Sequence, residues 1–186
     1  MPSVLLAVML SLPAIANAAM WNFAGAINLS QEMATHDVSV PAIYFGGGLV
    51  SASLDDESGS FLVNAFATGL TGDPTGAHIH AGAPGVAGPI VLDLGAPGIN
   101  TPGIIGYSLA TTLSADQIDA LTGGGALTTG AATDWYVNIH TATNPDGEIR
   151  GQLMVAQAPS AVPLPAGVWL LGSALVGMGW MRRSRR

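Results

Sequence analysis

The chain predicts an all-β fold, a Greek-key-like antiparallel β-sandwich or barrel with one short helix, flanked by an N-terminal signal peptide and a C-terminal hydrophobic helix. Three observations predict it. Short stretches of apolar–polar alternation recur through the middle of the chain, as at Trp21 to Leu29, where Trp21, Phe23 and Ile27 share one parity. Clusters of Gly, Pro, Asp and Asn separate them, as expected of turns between many short strands. Long apolar runs occur only at the two ends, Val4 to Met20 and Ala166 to Met181. The hydrophobic fraction of 49% and the charged fraction of 9% therefore belong partly to the ends and do not make the middle a membrane protein.

The elements follow in chain order. Val4 to Ile15 is the apolar core of a signal peptide, and Ala16-Asn17-Ala18 supplies the small residues that signal peptidase needs at Ala16 and Ala18 for a cut after Ala18. Residues 1–18 are thus the signal, and residues 19–158 the body. Strands are expected at Trp21 to Leu29, Ile43 to Leu54, Phe61 to Thr68, Ala77 to His80, Pro89 to Leu94, Ile105 to Thr112, Trp135 to His140 and Glu148 to Val155. Turns fall at Asp55 to Gly59, Gly72 to Gly76, Ala83 to Gly85 and Asn144 to Gly147. One helix interrupts the series: Ser114-Ala115-Asp116-Gln117 is a capping box, Ile118 and Leu121 give an apolar side, and Gly123 to Gly125 stops it. Residues 159–186 form a linker, the segment Val162-Pro163-Leu164-Pro165-Ala166, an apolar run from Gly167 to Met181 and an Arg-rich tail. That run is at the short limit of a bilayer span, and the Arg residues beside it would hold its end in the cytoplasm.

Charge is as segregated as hydropathy. The chain has no Lys, and four of its five Arg lie in the last five residues, so the body carries Arg150 against twelve acids, a net −11 where the whole chain is −7. Such a body repels phosphate, which excludes nucleic-acid binding. Absent Lys removes Schiff-base and P-loop chemistry, and absent Cys removes disulfides, thiolate catalysis and Cys-ligated zinc. No nucleophile elbow or supported Ser/His/Asp set is present, and no enzymatic activity is expected.

Strand parity sorts the histidines. His78 and His80 share a face of their strand while Ile79 takes the other. In the later strand Trp135, Val137 and Ile139 face the core, leaving Tyr136, Asn138 and His140 opposite. The fourth histidine, His36, sits in a stretch without periodicity. Two imidazoles at i, i+2 with a third from His140 would suit copper or zinc without thiolate. The alternative is structural, with His78 bonded to a loop backbone and His140 packed beside Tyr136. Arg150 shares its face with Glu148 and Gln152; it either captures an anion or pairs with an Asp such as Asp146 or Asp93 to fasten a loop. Asp55-Asp56-Glu57 offers carboxylates to Ca²⁺, yet lacks the alternating ligand spacing of an EF-hand loop and reads better as a solvated hairpin tip.

Two resemblances add to this. Val162 to Ala166, then Trp169-Leu170-Leu171-Gly172 and Arg-Arg-Ser-Arg-Arg, resembles a PEP-CTERM sorting signal of the VPLPA type. It implies cleavage by an exosortase-type membrane protease and delivery to the envelope or extracellular matrix of a Gram-negative bacterium, with membrane contact through the C-terminal segment before processing. Matrix components are the expected partners, and an exposed edge strand would let a second copy associate. The segments Ala77-His78-Ile79-His80-Ala81-Gly82-Ala83, Gly88-Pro89-Ile90-Val91, Trp135 to Thr141 and Pro145 to Leu153 resemble the CHRD domain, with Phe23 to Glu32 similar to its opening strand. The stretch from Met33 to Val40 departs from that pattern, since the family usually continues with Pro after the Glu. This resemblance implies an extracellular β-sandwich without assigned activity, in which Asn138, Arg150 and Gly151 are structural. The His-x-His strand is also similar to the copper-binding strand of Cu/Zn superoxide dismutase, although three histidines fall short of that enzyme's ligand set.

Overall fold

The computed structural model describes residues 19–32 and 46–159. The signal peptide with Ala16 and Ala18, the histidine His36, the Met33 to Val40 stretch, the motif Val162 to Ala166, the apolar run and the Arg tail all lie outside the described residues. Among those described, no helix is long and apolar enough to cross a membrane.

Nine strands form a single antiparallel sheet: β1 (Met20–Asn28), β2 (Gly47–Asp55), β3 (Ser60–Thr68), β4 (Pro74–Ala81), β5 (Ile90–Asp93), β6 (Ile99–Thr101), β7 (Ile104–Thr112), β8 (Ala132–Thr141) and β9 (Ile149–Gln157). Their order is β5-β4-β8-β9-β1-β2-β3-β7-β6, so the first and last strands meet in the middle and three connections cross between the halves. The expected choice between sandwich and barrel resolves as one continuous sheet that curls into a half-barrel. The curl shows in an open cavity of about 820 Å³ whose walls come from both ends of the order, with Asp73 and Pro74 at the start of β4 facing Thr101 and Ile104 of the β6–β7 hairpin.

Alternation decides which side is enclosed. In β3 every second residue is buried, and Phe61, Val63, Ala65 and Ala67 point into the concave side with Trp21, Phe23 and Ile27 of β1 and Trp135, Val137 and Ile139 of β8. Phe61 meets Trp135 edge to face at 6.4 Å between ring centroids, a favoured aromatic geometry. The helix α1 (Ala115–Thr122) seals one end with Leu121. Ser114 accepts from the Gln117 backbone N–H while the Gln117 side chain accepts from the Ser114 backbone N–H, and Gly123 ends the helix with φ of +62°. This is the capping box and glycine stop expected from the sequence.

Sequence reading missed one strand, β6. Its three residues stand between Pro97-Gly98 and Pro102-Gly103, too short for a period of two to register, and Pro102-Gly103 makes the tight hairpin into β7 with Gly103 at φ +80°. The acidic tip between β2 and β3 is used for folding. Asp55 accepts from the backbone N–H of Glu57 and Ser58, both at 3.1 Å, and hydrogen bonding to Ser58 lowers its pKa. Asp56 accepts from the Ala19 N–H at 2.9 Å and the Trp21 indole at 3.2 Å.

Candidate metal centre

The face of the sheet opposite the apolar core carries the histidines in register. Cross-strand pairing places Asp93 of β5, His78 of β4, Asn138 of β8, Arg150 of β9 and Asn28 of β1 in one row. The next row holds His80, Tyr136 and Gln152, and His140 stands opposite Gly76. Directly opposed residues of antiparallel strands share a face, so the parity expected from the sequence brings all three histidines together.

The ring nitrogens converge. One ligand atom from each of His78, His80 and His140 lies within 4.8 Å of the others. Ring centroids are 4.9 Å apart for His78 and His140, 5.7 Å for His78 and His80, and 5.8 Å for His80 and His140. The Nδ1 of His80 bonds the Gly88 carbonyl at 2.9 Å and the Nδ1 of His140 bonds the Pro145 carbonyl at 2.9 Å. A carbonyl only accepts, so each Nδ1 carries the proton and each Nε2 keeps a lone pair. Those two Nε2 atoms and the Nδ1 of His78 are buried without a hydrogen-bond partner. Three clustered imidazoles, each with a buried nitrogen that makes no hydrogen bond and two with tautomers fixed by backbone acceptors, match the outer-partner arrangement that orients histidine on a metal. Burial lowers the pKa of all three, and mutual repulsion adds to it, so each stays neutral to lower pH than a free histidine.

The sequence placed these residues on non-core faces, but the face is covered rather than solvated. Tyr136, Asn138, Arg150 and Gln152 are 2%, 3%, 1% and 5% exposed. The strap of residues 82–89, between β4 and β5, lies over them. Arg150 fastens it: its guanidinium donates to the Ala83 and Val86 carbonyls, both at 2.9 Å, and to Gln152 Oε1 at 2.9 Å. This replaces the expected pair with Asp146 or Asp93. A folded strap presents several carbonyls in the space of one fork, which a planar five-donor group satisfies better than a single carboxylate would. The carboxylate whose charge reaches Arg150 is Glu32.

The same guanidinium lies 3.4 Å over the Tyr136 ring, and Tyr136 stacks on His80 at 5.2 Å and 16°. Tyr136 thus packs on His80, where the structural alternative had put His140 beside it; and it is His80 and His140, not His78, that bond loop backbone. Gly88 closes the arrangement by donating its N–H to the Tyr136 hydroxyl at 3.1 Å, and a Cβ on Gly88 would run into the Ala81 carbonyl. Gln152 donates to the Gly82, Thr133 and Trp135 carbonyls. Asn138 donates weakly to the Asp146 carbonyl at 3.5 Å, and Gly151 lies against Ile27 of β1 with no room for a side chain.

Sequence reading assigned no role to Glu148, Gln152 or Glu32. Glu148, 2% exposed, accepts from the Thr71 N–H and from the Thr71 and Thr141 hydroxyls, tying the β3–β4 connection to the β8–β9 turn that carries the His140 acceptor Pro145. A glutamate beside a turn reads as surface, and only the long-range contact with Thr71 identifies it as an anchor. Among the described residues the three histidines form the cluster able to hold a metal; the tip Asp55-Asp56-Glu57 is not part of such a group.

Neither the curated proteins nor the solved structures provide a match to this chain. The family model for the CHRD domain matches residues 27–153, which include β2 to β8, the first part of β9, the strap and the three clustered histidines. With well over half of its length matched, the chain belongs to the CHRD domain family.

Proposed function

We propose that the chain is the non-enzymatic CHRD body of an exported envelope or extracellular-matrix protein, and that His78, His80 and His140 bind one copper or zinc ion. The observation that carries the metal assignment is the convergence of three buried, unpartnered imidazole nitrogens within 4.8 Å. Leaving three such groups unmet costs free energy that a metal ion would recover. Imidazole donors without thiolate suit Cu(II) and Zn(II) better than Ca²⁺ or Mg²⁺.

Export, exosortase-type processing and release from the membrane rest on the terminal motifs. One contact supports the N-terminal part of that reading. The Ala19 nitrogen, which becomes an ammonium when signal peptidase cuts after Ala18, is 2.9 Å from the Asp56 carboxylate, so the new charge meets an opposite one. Delivery to the matrix would make matrix components or further copies of the chain its partners.

The test is titration of the chelator-stripped body with Cu(II) and Zn(II) in a calorimeter, alongside His80→Ala and His140→Ala. One ion per chain, tighter than about 100 μM and lost in both variants, is expected. No binding of either ion below that concentration overturns the metal assignment. N-terminal sequencing and intact mass of the exported form test the processing, with Ala19 expected first and the segment after about Ala166 expected to be missing.

A further inference from the structure

Resting on that metal reading, we propose that Glu32 is the fourth donor, so that the site presents three imidazole nitrogens and one carboxylate to a divalent transition ion. Glu32 follows directly on the single 3-10 turn, Leu29–Gln31, that ends β1. The turn is fixed in place. Asn28 caps it by accepting from the Gln31 N–H at 3.2 Å, the Glu32 N–H donates to the Leu29 carbonyl at 3.0 Å, and the Gln31 side chain bridges to the Ala26 carbonyl at 2.7 Å and to the Gln152 N–H at 3.1 Å. Glu32 is thereby delivered to the histidine face by the same two central strands that carry Asn28, Arg150 and Gln152.

Its carboxylate turns inward. Glu32 Oε2 lies 2.7 Å from the position a side chain would begin at Gly147, and Asn138 Oδ1 lies 2.7 Å from that same position. Carboxylate and Asn138 amide are therefore neighbours. Asn138 is the cross-strand partner of His78 and stands two residues before His140 on the same face. The negative charge acts on both His80 and His140, which come from different strands. A carboxylate that shares the space beside Gly147 with the Asn138 amide, and whose charge acts on both buried rings, stands next to the three-histidine cluster and just outside the 4.8 Å group that the rings form. Gly147 takes part by having no side chain, because any Cβ there would occupy the place of the Glu32 carboxylate and the Asn138 amide.

The chemistry favours such a donor. Three neutral imidazoles leave a bound dication with its full charge in a partly buried setting, which is costly, and one carboxylate removes half of it. The oxygen also hardens the set, favouring Zn(II), Cu(II) or Co(II) over Cu(I). Two further carboxylates act on the cluster: Asp93 acts on His78 from the far side of the row while accepting from the Gly95 N–H, and Asp146 acts on His140. Asp93 supports His78 and Asp146 is exposed in the β8–β9 turn, so neither competes with Glu32.

Co(II) alone serves as the probe, added to chelator-stripped wild-type protein and to Glu32→Gln. Both are expected to take one ion per chain and to melt alike without metal, with the variant weaker by about tenfold or more. Affinity alone does not separate a ligand from an outer partner, so azide is then added. The visible Co(II) bands of Glu32→Gln should shift with azide at concentrations that leave the wild type unchanged, because only the variant has an open position. Equal affinity, or an azide response already present in the wild type, overturns the assignment of Glu32 while leaving the three-histidine site standing. Failure of the wild type to bind Co(II), Zn(II) or Cu(II) overturns the site itself. Should Glu32→Gln not fold, Glu32→Asp replaces it: the shortened carboxylate should bind Co(II) more weakly, and unchanged affinity overturns the proposal.

Discussion

Replacing Arg150 with Ala removes the fastening of the strap, and the structure lets the cost be worked out. Three donations end, to the Ala83 and Val86 carbonyls and to Gln152 Oε1, together with the cation–π contact on Tyr136. Hydrogen bonds to a charged group contribute about 1.5–3 kcal/mol each, and a desolvated cation–π contact up to about 2 kcal/mol. The two carbonyls belong to a half-exposed strap and regain water once it lifts, whereas Gln152, 5% exposed, does not. Counting nothing for the two carbonyls, which regain water, and about 2 kcal/mol each for Gln152 and the ring contact gives a loss of about 4 kcal/mol, or roughly 12 °C in Tm for a domain of this size. Urea unfolding in the presence of a chelator measures this without a contribution from bound metal. Metal affinity should fall as well, because the freed strap takes with it the Gly88 carbonyl that sets the His80 tautomer. Arg150→Lys should recover part of the stability, since one ammonium reaches fewer of the three acceptors at once. A loss below about 1 kcal/mol for Arg150→Ala, or an unchanged metal affinity, would show that neither the strap nor the His80 tautomer depends on Arg150.

Further outcomes follow from the same contacts. Since burial lowers all three histidine pKa values, the unfolded chain binds protons that the native apo protein refuses. The stability of the apo protein is therefore complete above pH 6.5 and falls as the pH drops below it, and metal should be released over the same range; a flat apo Tm between pH 7.5 and 5.5 would contradict the burial of these rings. Glu148→Ala leaves the Thr71 N–H and two hydroxyls without an acceptor and should cost about 2–4 kcal/mol by urea unfolding, much more than removal of an exposed carboxylate. Phe61→Ala, at a position 1% exposed against Trp135, should cost about 3–5 kcal/mol by the same assay. Asp56→Asn should lower the Tm of protein beginning at Ala19 more than that of protein carrying extra residues before it, because only the former has an ammonium at that carboxylate.

Much of the fold is legible because its signals are local. The capping box at Ser114, the glycine at 123 and the clean alternation of Phe61 to Thr68 each involve residues a few positions apart, and each appears in the structure where the sequence puts it. The same holds for the histidines: a period of two is enough to place His78 and His80 on one face and His140 on the matching face of its own strand. What parity does not contain is which strands are neighbours. The pairing of β4 with β8, which turns three separate histidines into one cluster, depends on two chain crossings and on α1 lying between β7 and β8.

The status of the second face was also illegible, for a physical reason. Alternation distinguishes apolar from polar positions, and a polar residue is ordinarily taken as solvated. Here the polar side of β8 and β9 is a second interior, made of Tyr136, Asn138, Arg150 and Gln152 and closed by a strap too rich in glycine and alanine to advertise what it covers. A buried polar layer holds only if each group finds a partner, and most of these do, through backbone carbonyls of the strap and of β8. Against that background the three histidine nitrogens stand out, because a layer that satisfies its arginine, glutamine and tyrosine so fully leaves one nitrogen on each of three clustered rings without a hydrogen bond, along with Asn138 Oδ1. Were the histidines structural, the cheapest arrangement would turn each free nitrogen to water or to a carbonyl, as the Nδ1 atoms of His80 and His140 are turned already. That both rings spend one nitrogen on the backbone and leave the other buried without a hydrogen bond, beside a third ring in the same state, is the observation on which the proposed metal rests.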